Sequence, residues 1–427
     1  MKTCKHALIG LLLPLAAAAA EIPVADAEAL ERALQEARPG DTLVLAEGEW
    51  RDVVIRCKAE GTEPAPITLR AAVPGKTIFT GASGLRLGGR HVVVEGLWFR
   101  NPDPAVGDTI EFRLDSKHLA EQCRVTQCAI TLDPGQEARD AKESRWLGLY
   151  GGHNRLDHCY LAGKVTKGAT AVVWLGEGQA ARHQIDHNHF GPRERLGKNG
   201  GETIRIGDSK TSMTEAACVI EDNLFERCNG EAECLSNKSC GNVYRRNVFL
   251  EVSGALTLRH GNGCLVEGNV FLGNGASGTG GIRIIGEDHI VRGNHLQGLA
   301  GDDARSGLTL MQGVPDSPLN EYFQVRRARI EDNVLIDCRH PILIGLQDGR
   351  GSLPPLDTVF RGNRIHAPDA TVIEARCDTA GVRWQDNVFF GKTLGLPEGS
   401  GITWQKPEAP ASPTVDRRQY GPAWRTP

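Results

Sequence analysis

Two glutamates with one residue between them are the first feature of this 427-residue sequence that suggests chemistry. Glu231 and Glu233 lie two apart, and residues two apart in a strand project from the same face. With Ala232 and Cys234 turned inward, both carboxylates point outward. Neighbouring anions on one face repel each other unless something positive lies between them. The spacing therefore predicts a positive charge at this pair.

Arginines recur in apolar segments that are in phase with these acids. Arg205, Glu233, Arg259 and Arg283 are separated by 28, 26 and 24 residues, close to the period of the repeat described below. We expect them on consecutive rungs about 4.8 Å apart, pointing outward from one face. The pattern predicts a charged column in which acids lie between arginines.

Three oxygen-bearing side chains near this column suit a metal ion. Asn199 lies about one repeat before Glu231 and Glu233, and it adds an amide oxygen. An all-oxygen set favours a hard cation, and calcium fits best because water and a substrate carboxylate can complete its flexible coordination. Zinc is not expected without His or Cys in the set. From the residues alone, a surface ladder of charges without a metal is an equally good interpretation.

A repeat must position these residues. A strand, an asparagine and then apolar residues recur, and successive asparagines are separated by 35, 24, 22, 25, 39, 30 and 24 residues. A period of 22 to 25 residues is one solenoid coil of short strands. We expect an all-β fold, a single right-handed parallel β-helix whose asparagines stack as a ladder inside a turn. The repeating asparagines are Asn188, Asn223, Asn247, Asn269, Asn294, Asn333, Asn363 and Asn387.

The two ends of the chain lack the asparagine repeat. Residues 1–20 resemble an export signal, with a basic start, an apolar stretch and small residues before Glu21. Residues 26–38 are predicted to form a short capping helix, with Asp26 as its N-cap. We expect a parallel β-helix catalytic domain over 21–405 and an irregular tail over 406–427. The protein is therefore expected to be periplasmic or secreted, without a membrane span.

Composition limits the partners. The formal net charge is −4, from 49 basic and 53 acidic residues, so nucleic acid is not expected as a partner. This balance does not exclude a polyanionic substrate, because local basic patches matter more than the sum. The sequence has 12 cysteines. The close pairs Cys123/Cys128 and Cys234/Cys240 either form disulfides in an oxidising compartment or fill the core as small hydrophobic residues.

Four motifs occur together in this chain and are diagnostic of one family. They are Lys198-Asn-Gly-Gly-Glu-Thr-Ile-Arg205, Asn229-Gly-Glu-Ala-Glu233, Ser236-Asn-Lys-Ser239 and Leu258-Arg-His-Gly261. On these motifs the chain resembles the polysaccharide lyase family that contains chondroitinase B and β-helical alginate lyases, over most of its length after the signal. The resemblance implies cleavage of a uronate-containing polysaccharide by calcium-assisted β-elimination that leaves a C4=C5 double bond, and alginate is the first expected substrate.

The resemblance also assigns roles to individual residues. It implies that Asn199, Glu231 and Glu233 hold calcium, that Lys238 is the base and that Arg259 is the acid. Lys238 must be neutral to accept a proton, and nearby positive charge would lower its pKa. The residues implied to bind substrate are His260, Arg283, Arg205 and Glu202.

Other functions remain open. A chondroitin or dermatan sulfate lyase would use the same mechanism on a sulfated acidic polysaccharide. A β-helix glycoside hydrolase would use Glu231 and Glu233 as paired acids, which would leave Lys238 and Arg259 without a role. A non-catalytic glycan-binding solenoid would not shorten its ligand. We expect a single-domain member of the family, and the oligomeric state is left open.

Overall fold

The strands of this chain wind into three long parallel sheets. The computed structural model describes residues 19–425 except 104, 106, 136–142, 177, 179, 398, 400 and 409–410. Sheets 1 and 3 each contain 14 strands and sheet 2 contains 12, and successive coils add one strand to each sheet in turn. This arrangement confirms the all-β parallel β-helix, and its right-handed sense stays a prediction.

The strands are short because each coil must turn three corners. Sheet 1 consists of β1 Glu21–Val24, β2 Thr42–Leu45, β5 Ile67–Ala71, β8 Val92–Glu95, β11 Arg124–Thr126, β14 Arg155–Asp157, β17 Gln184–Asp186, β20 Val219–Glu221, β23 Val243–Arg245, β26 Leu265–Glu267, β29 Ile290–Arg292, β32 Arg329–Glu331, β35 Thr358–Arg361 and β38 Val382–Gln385. Sheet 2 consists of β4 Val54–Cys57, β7 Gly84–Leu87, β10 Ile110–Glu111, β13 Leu147–Leu149, β16 Ala171–Val173, β19 Ile204–Ile206, β22 Glu233–Lys238, β25 Ala255–His260, β28 Ile282–Ile284, β31 Leu308–Met311, β34 Ile342–Leu346 and β37 Ile373–Ala375. Sheet 3 consists of β3 Gly48–Arg51, β6 Thr77–Gly81, β9 Trp98–Pro102, β12 Ala129–Thr131, β15 Tyr160–Ala162, β18 His189–Phe190, β21 Leu224–Glu226, β24 Val248–Leu250, β27 Val270–Leu272, β30 His295–Gln297, β33 Val334–Ile336, β36 Arg364–Thr371, β39 Asn387–Thr393 and β40 Ile402–Trp404.

A short helix covers the first coil, as the sequence predicts. Helix α1 spans Ala27–Glu36, slightly less than the predicted 26–38. The carboxylate of Asp26 accepts a hydrogen bond of 2.8 Å from the Ala29 N–H, which satisfies one of the free donors at the helix start. Leu30 and Ala33 are buried against the coil. The helix thereby shields an end of the solenoid that would otherwise expose its core.

The predicted asparagine ladder forms the corner between sheets 1 and 3. Asn247 illustrates the pattern: its Oδ1 accepts from Asn223 Nδ2 at 3.0 Å, and its Nδ2 donates to Asn269 Oδ1 at 3.0 Å. The residue before each ladder asparagine has left-handed backbone, for example Arg246 with φ 53° and Gly268 with φ 61°. That conformation turns the chain sharply, and the buried amide satisfies the backbone groups that the turn leaves unpaired.

The core lies inside the coil. Phe190, Phe225, Phe249 and Phe271 stack on successive rungs with ring centroids 5.0, 4.8 and 4.3 Å apart. All eleven described cysteines are free thiols, and nine of them are buried. Neither predicted close pair is a disulfide, so the cysteines pack as small core residues.

After β40 the chain leaves the sheets and runs back along sheet 3. We call residues 411–425 the C-terminal strap. Arg417 of the strap donates to Glu226 at 2.7 Å, the Gly421 N–H donates to the carbonyl of His187 at 2.8 Å, and Trp424 Nε1 donates to the carbonyl of Gln127 at 2.6 Å. The strap therefore ties together coils that are far apart in sequence.

The export signal predicted over residues 1–20 lies almost entirely outside the described residues and stays a prediction, as does the division at residue 405. Within the described part of the chain, no helix has the length and apolar character needed to cross a bilayer.

Candidate active site

A polar groove of about 420 Å³ lies over the outer face of sheet 2. Strands β22, β25 and β28 form its floor, and the segment between β18 and β19 forms one wall. The groove brings together most of the residues predicted from the sequence. Those that line it are Asn199, Glu202, Glu231, Glu233, Lys238, Arg259 and Arg283.

Two predicted substrate-binding residues do not line this groove. His260 ends β25 in register with Lys238, but it is buried, and burial followed by the charge of Arg259 lowers the pKa of its imidazole to about 4. Arg205 on β19 is half-buried, with its guanidinium 5.2 Å from the centre of the Trp174 ring. His260 directly follows the lining residue Arg259 on β25, and Arg205 lies on β19, the strand beside β22.

The predicted column of four charges is only partly correct. Arg205, Ser236, Thr257 and Arg283 occupy one row across β19, β22, β25 and β28. Glu233 is not in that row, because it pairs with Ala255 three positions earlier on β22. The repeat spacing therefore correctly predicts Arg205 and Arg283 at the two ends of the row, whereas Glu233 and Arg259 lie outside it.

The displacement begins with coil length, because Arg205 pairs with Ser236, 31 positions later, and not with Glu233. Two register shifts then alter the pairing of β22 with β25. On β22, Cys234 is an extra residue between two paired positions, and on β25 Arg259 is an extra residue opposite the step from Asn237 to Lys238. A bulge re-aims the side chains beside it and increases the local twist. The shifts offset one another along the strand pair, so regular pairing resumes with β28. They place Glu233 and Arg259 side by side in the groove.

Glu231 lies in the bend before β22 and is held by backbone. Its Oε2 accepts hydrogen bonds from the N–H groups of Gly200 and Gly201, at 2.8 and 3.0 Å. A Cβ on Gly201 would come within 2.4 Å of the Gly230 carbonyl oxygen, so only glycine permits this close approach. Ala232 is exposed, which corrects the prediction that it points into the coil, because β22 begins only at Glu233.

The acids in the groove carry excess negative charge. Burial, together with the charges of Glu202 and Glu233, raises the pKa of Glu231 to about 7. Glu202 is buried, and its Oε2 has no hydrogen-bond partner among the described residues. A buried oxygen without a donor is costly unless another group satisfies it. This part of the groove therefore favours a bound cation.

Glu233 differs from its neighbour because it is paired with arginines. Its Oε1 accepts from Arg259 Nη1 at 3.0 Å and from Arg283 Nη1 at 3.3 Å, and its Oε2 accepts from the Ser236 hydroxyl at 2.6 Å. Burial acts to raise the pKa of Glu233, but Arg259 and Arg283 outweigh it, so the pKa is lowered. Glu233 is only 8% exposed although it points into the groove on the outer face, as predicted.

Lys238 is the half-buried amine of the groove, whereas Lys198, which also lines it, is exposed. Among the described residues Lys238 has no ion pair within 4.0 Å, although Glu233 and Glu202 are near enough to influence it. Burial lowers its pKa, the positive charges of Arg259 and Arg205 lower it further, and the two acids oppose the shift. A lysine with a lowered pKa is neutral more often near neutral pH and can accept a proton.

The chemistry of the predicted metal ligands fits a hard cation. Asn199 is exposed beside the Gly200 and Gly201 N–H groups, and Glu231 presents Oε1, which accepts no hydrogen bond from the described residues. No three His, Cys, Asp or Glu side chains converge on one point in the described chain. The predicted set has two carboxylates and one amide, so oxygen donors and unbalanced negative charge support a cation here.

Two residues of the site gave no signal in the sequence. Arg193 is buried behind the groove wall, and its guanidinium donates to the carbonyls of Glu202 at 2.8 Å and Gly168 at 2.9 Å. It thereby fixes the backbone next to the glycines that hold Glu231. Tyr322 approaches the arginines from the opposite side and accepts from Arg259 Nη1 at 2.8 Å. Neither residue belongs to a strand or repeats with the coil period, so periodicity does not reveal it.

A larger depression, about 490 Å³, lies on another part of the molecule near Lys164. Its acids are already satisfied: Glu49 accepts from the Thr80 hydroxyl, Asp133 from Arg100 and Asp52 from the Ala82 N–H. Burial lowers the pKa of Lys164 to about 6, but its amine already donates to the carbonyl and hydroxyl oxygens of Thr166. The groove over sheet 2, where Glu202 has an oxygen without a hydrogen-bond partner among the described residues, is the better candidate for chemistry.

A known protein family and several solved structures match most of this chain. The chondroitinase B family model matches residues 24–353. A solved structure of the PL6 family alginate lyase AlyGC is 42% identical with a TM-score of 0.87, and the match covers 94% of this chain and 56% of that chain. This chain therefore spans little more than half the length of AlyGC. None of the curated proteins matches it.

Two further solved structures match along nearly their whole length. A mannuronic acid-specific polysaccharide family 6 lyase from human gut microbiota is 32% identical with a TM-score of 0.83, and the match covers 95% of this chain and 96% of that chain. A PL6 alginate lyase in complex with a trisaccharide is 22% identical with a TM-score of 0.77, covering 93% and 90%, and shows the shared fold.

Proposed function

The chain belongs to the chondroitinase B family of polysaccharide lyases, and from this premise we propose that it cleaves alginate by calcium-assisted β-elimination. The product would carry a C4=C5 unsaturated uronate at its new end. One observation carries the proposal: Lys238, with a lowered pKa, lines the same groove as an acid cluster with unbalanced charge and a pair of arginines.

The residues of the groove divide the reaction between them. The neutral amine of Lys238 takes the C5 proton, the electrons of the C5–H bond form the C4=C5 double bond, and the bond from C4 to the glycosidic O4 breaks. Arg259 donates a hydrogen bond to the departing O4. Burial acts to lower the pKa of Arg259, but Glu233 and Tyr322 raise it overall, so we assign the proton that completes the new hydroxyl to water.

We propose that Asn199, Glu231 and Glu233 hold calcium, with Glu202 beside them. The ion would neutralise the substrate carboxylate and so make the neighbouring C5 proton easier to remove. Arg193 supports this set from behind by fixing the backbone of the segment that carries it. Arg283 lines the groove floor, where its charge suits a uronate carboxylate.

The choice of alginate follows the two relatives that are most informative about this chain. AlyGC is named an alginate lyase, and the human gut relative is named specific for mannuronic acid. The family model bears the name chondroitinase B, so a chondroitin or dermatan sulfate lyase is the second candidate. A hydrolase is disfavoured because it would leave Lys238 and Arg259 without a role, although both line the groove beside the acids.

Ultraviolet absorbance of the products tests the proposal. The purified protein is incubated with poly-mannuronate, poly-guluronate, mixed alginate and dermatan sulfate. Alginate should give absorbing, unsaturated products, whereas hydrolysis would give shorter chains without absorbance. Absorbance from dermatan sulfate alone would overturn the choice of substrate and keep the mechanism. No shortening of any chain would favour a glycan-binding solenoid.

Removal of calcium gives a second test. Exhaustive chelation should lower activity strongly, and calcium should restore it better than zinc. Glu231→Gln should imitate chelation, because its amide oxygen can still accept from Gly200 and Gly201 while the charge is lost. Glu233→Ala is a poorer probe, since it also removes an acceptor from the half-buried Arg259 and the buried Arg283.

Calcium should also raise the melting temperature of the wild type and have a smaller effect on Glu231→Gln. Full activity in protein shown by metal analysis to be calcium-free would remove the ion from the mechanism.

A further inference from the structure

The insertion between β31 and β32 reaches over the groove floor. Residues 312–328 connect these strands, whereas residues 261–264 make the corresponding connection between β25 and β26. The insertion closes on itself: the Val314 N–H donates to the carbonyl of Tyr322 at 2.8 Å, and Gly313 and Leu353 exchange backbone hydrogen bonds of 2.8 Å. This accounts for the 39-residue gap between Asn294 and Asn333. The extra length delivers one side chain, Tyr322, to the groove arginines.

The hydroxyl of Tyr322 joins two guanidinium groups. Its oxygen accepts from Arg259 Nη1 at 2.8 Å and from Arg283 Nη2 at 3.1 Å. Its proton is donated to Asp348 Oδ2 at 2.6 Å, which turns the oxygen lone pairs toward the arginines. Tyr322 is 7% exposed, so water does not readily replace it as the acceptor.

The same two arginines share a second acceptor on their other side. Glu233 Oε1 accepts from both of them, at 3.0 and 3.3 Å. Two guanidinium groups repel each other, and a shared acceptor on each side offsets that repulsion and fixes their separation. The aromatic ring adds attraction, since the guanidinium carbons of Arg259 and Arg283 lie 4.9 and 5.3 Å from its centre.

We propose that Tyr322 is a positioning residue that holds Arg259 and Arg283 at a fixed separation in the groove. It acts through the arginines and does not itself take part in proton transfer. The roles of the arginines toward substrate rest on the proposed function, whereas their placement by Tyr322 does not. Because Arg259 faces the breaking bond, loss of its position lowers turnover more than binding.

Tyr322→Phe is the direct test, because it removes the oxygen and keeps the ring and its packing against Met311 and Val314. The matched control is Glu321→Gln. Glu321 lies on the same insertion, and its substitution alters the ion pair with Arg350 while the phenol of Tyr322 stays in place. We expect kcat on the substrate that the wild type cleaves to fall about 10- to 100-fold in Tyr322→Phe, with a smaller change in KM. The control should remain within about twofold of wild type.

Two readouts separate positioning from a general structural effect. Tyr322→Phe should add little to the loss already caused by Arg259→Lys, since both act on one interaction. In protein labelled at arginine nitrogen, the Nε–H signals of Arg259 and Arg283, assigned from their Lys variants, should shift or broaden in Tyr322→Phe and not in Glu321→Gln.

Unchanged arginine signals in Tyr322→Phe, or additive losses in the double variant, would overturn the proposal. If the wild type cleaves none of the polysaccharides, the proposed function fails, and the arginine spectra still decide the role of Tyr322.

Discussion

At the scale of single residues, Lys238 has the environment that a base requires. Burial and two arginines lower its pKa, while Glu233 and Glu202 limit the shift. Lys238→Ala should abolish product formation and leave the fold intact, because the amine lies in the groove and packs no core. Lys238→Arg should be almost as damaging, since guanidinium keeps its proton at neutral pH. Rates and circular dichroism spectra of both variants check this. Near wild-type turnover of Lys238→Arg would show that another residue is the base.

The pH dependence follows from the same residue. A lysine acts as a base only when neutral, so kcat/KM should rise with pH toward the lowered pKa of Lys238 and then level off. His260 is the alternative base, and its pKa is lowered to about 4, so a rate governed by it would already be level above about pH 5. A pH profile of kcat/KM distinguishes the two, and a flat profile from pH 5 upward would contradict the role of Lys238.

The identities of these residues could be predicted from the sequence, and their surroundings could not. The motif around Glu231 and Glu233 predicts paired acids, and both line the groove. That one acid has a raised pKa and the other a lowered pKa depends on which arginines reach them. Those contacts depend on side chains brought together from different coils, which a repeat period does not specify.

At the scale of elements, the asparagine ladder is the clearest success of the sequence pattern. Its period predicts the coil, and the structure places the ladder amides in contact from rung to rung. The column of charges was predicted by the same reasoning and was partly wrong. A period assumes coils of equal length, whereas Arg205 pairs with Ser236, 31 positions later, and the extra residues Cys234 and Arg259 then shift the next pairing. Bulges are set by local packing and leave little trace in the spacing of repeats.

The ladder should contribute measurably to stability. Asn247→Ala removes an amide that bonds Asn223, Asn269 and the carbonyl of Ile220, all buried. The groups left without partners should lower the free energy of unfolding by about 2–5 kcal/mol. The control is Asn320→Ala, since Asn320 is exposed and its side chain has no hydrogen bond among the described residues. Urea denaturation monitored by circular dichroism measures the stability of both variants. Equal midpoints would mean that the ladder does not contribute to the stability of the fold.

At the scale of the whole molecule, the C-terminal strap binds the solenoid along its length. The sequence predicts an irregular tail after residue 405, and its anchors are not apparent from composition. Arg417 is the strongest of them, with two hydrogen-bonding nitrogens on the carboxylate of Glu226. Long-range contacts of this kind have no local signal, because the partners are separated by 191 residues.

The strap should stabilise the protein in a pH-dependent way. The hydrogen bond from His189, followed by that from Arg417, lowers the pKa of Glu226 to about 2. A lowered folded-state pKa contributes stability above the unfolded pKa, and this is lost as the pH falls through the folded value. Arg417→Met should lower the free energy of unfolding by about 1–3 kcal/mol at neutral pH. The difference in this free energy between the variant and wild type should shrink as the pH falls from about 4.5 to 2.

Arg418→Met serves as the control, because Arg418 is 80% exposed and bonds only its neighbour Asp416. Thermal unfolding across this pH range measures the effect. If the difference in stability between Arg417→Met and wild type stayed constant down to pH 2, the ion pair between Arg417 and Glu226 would not be its cause.

The strap also separates two stages of folding. Neighbouring coils bring together residues that are 22 to 39 apart along most of the chain, so each coil can stack on the last as soon as it is synthesised. The strap must instead close loops of 191 to 297 residues, and it is synthesised after the coils it joins. We therefore expect its docking to be a late event in folding. Because these anchors join coils that have already formed, we expect the strap to raise the barrier to unfolding and to protect coils made long before it.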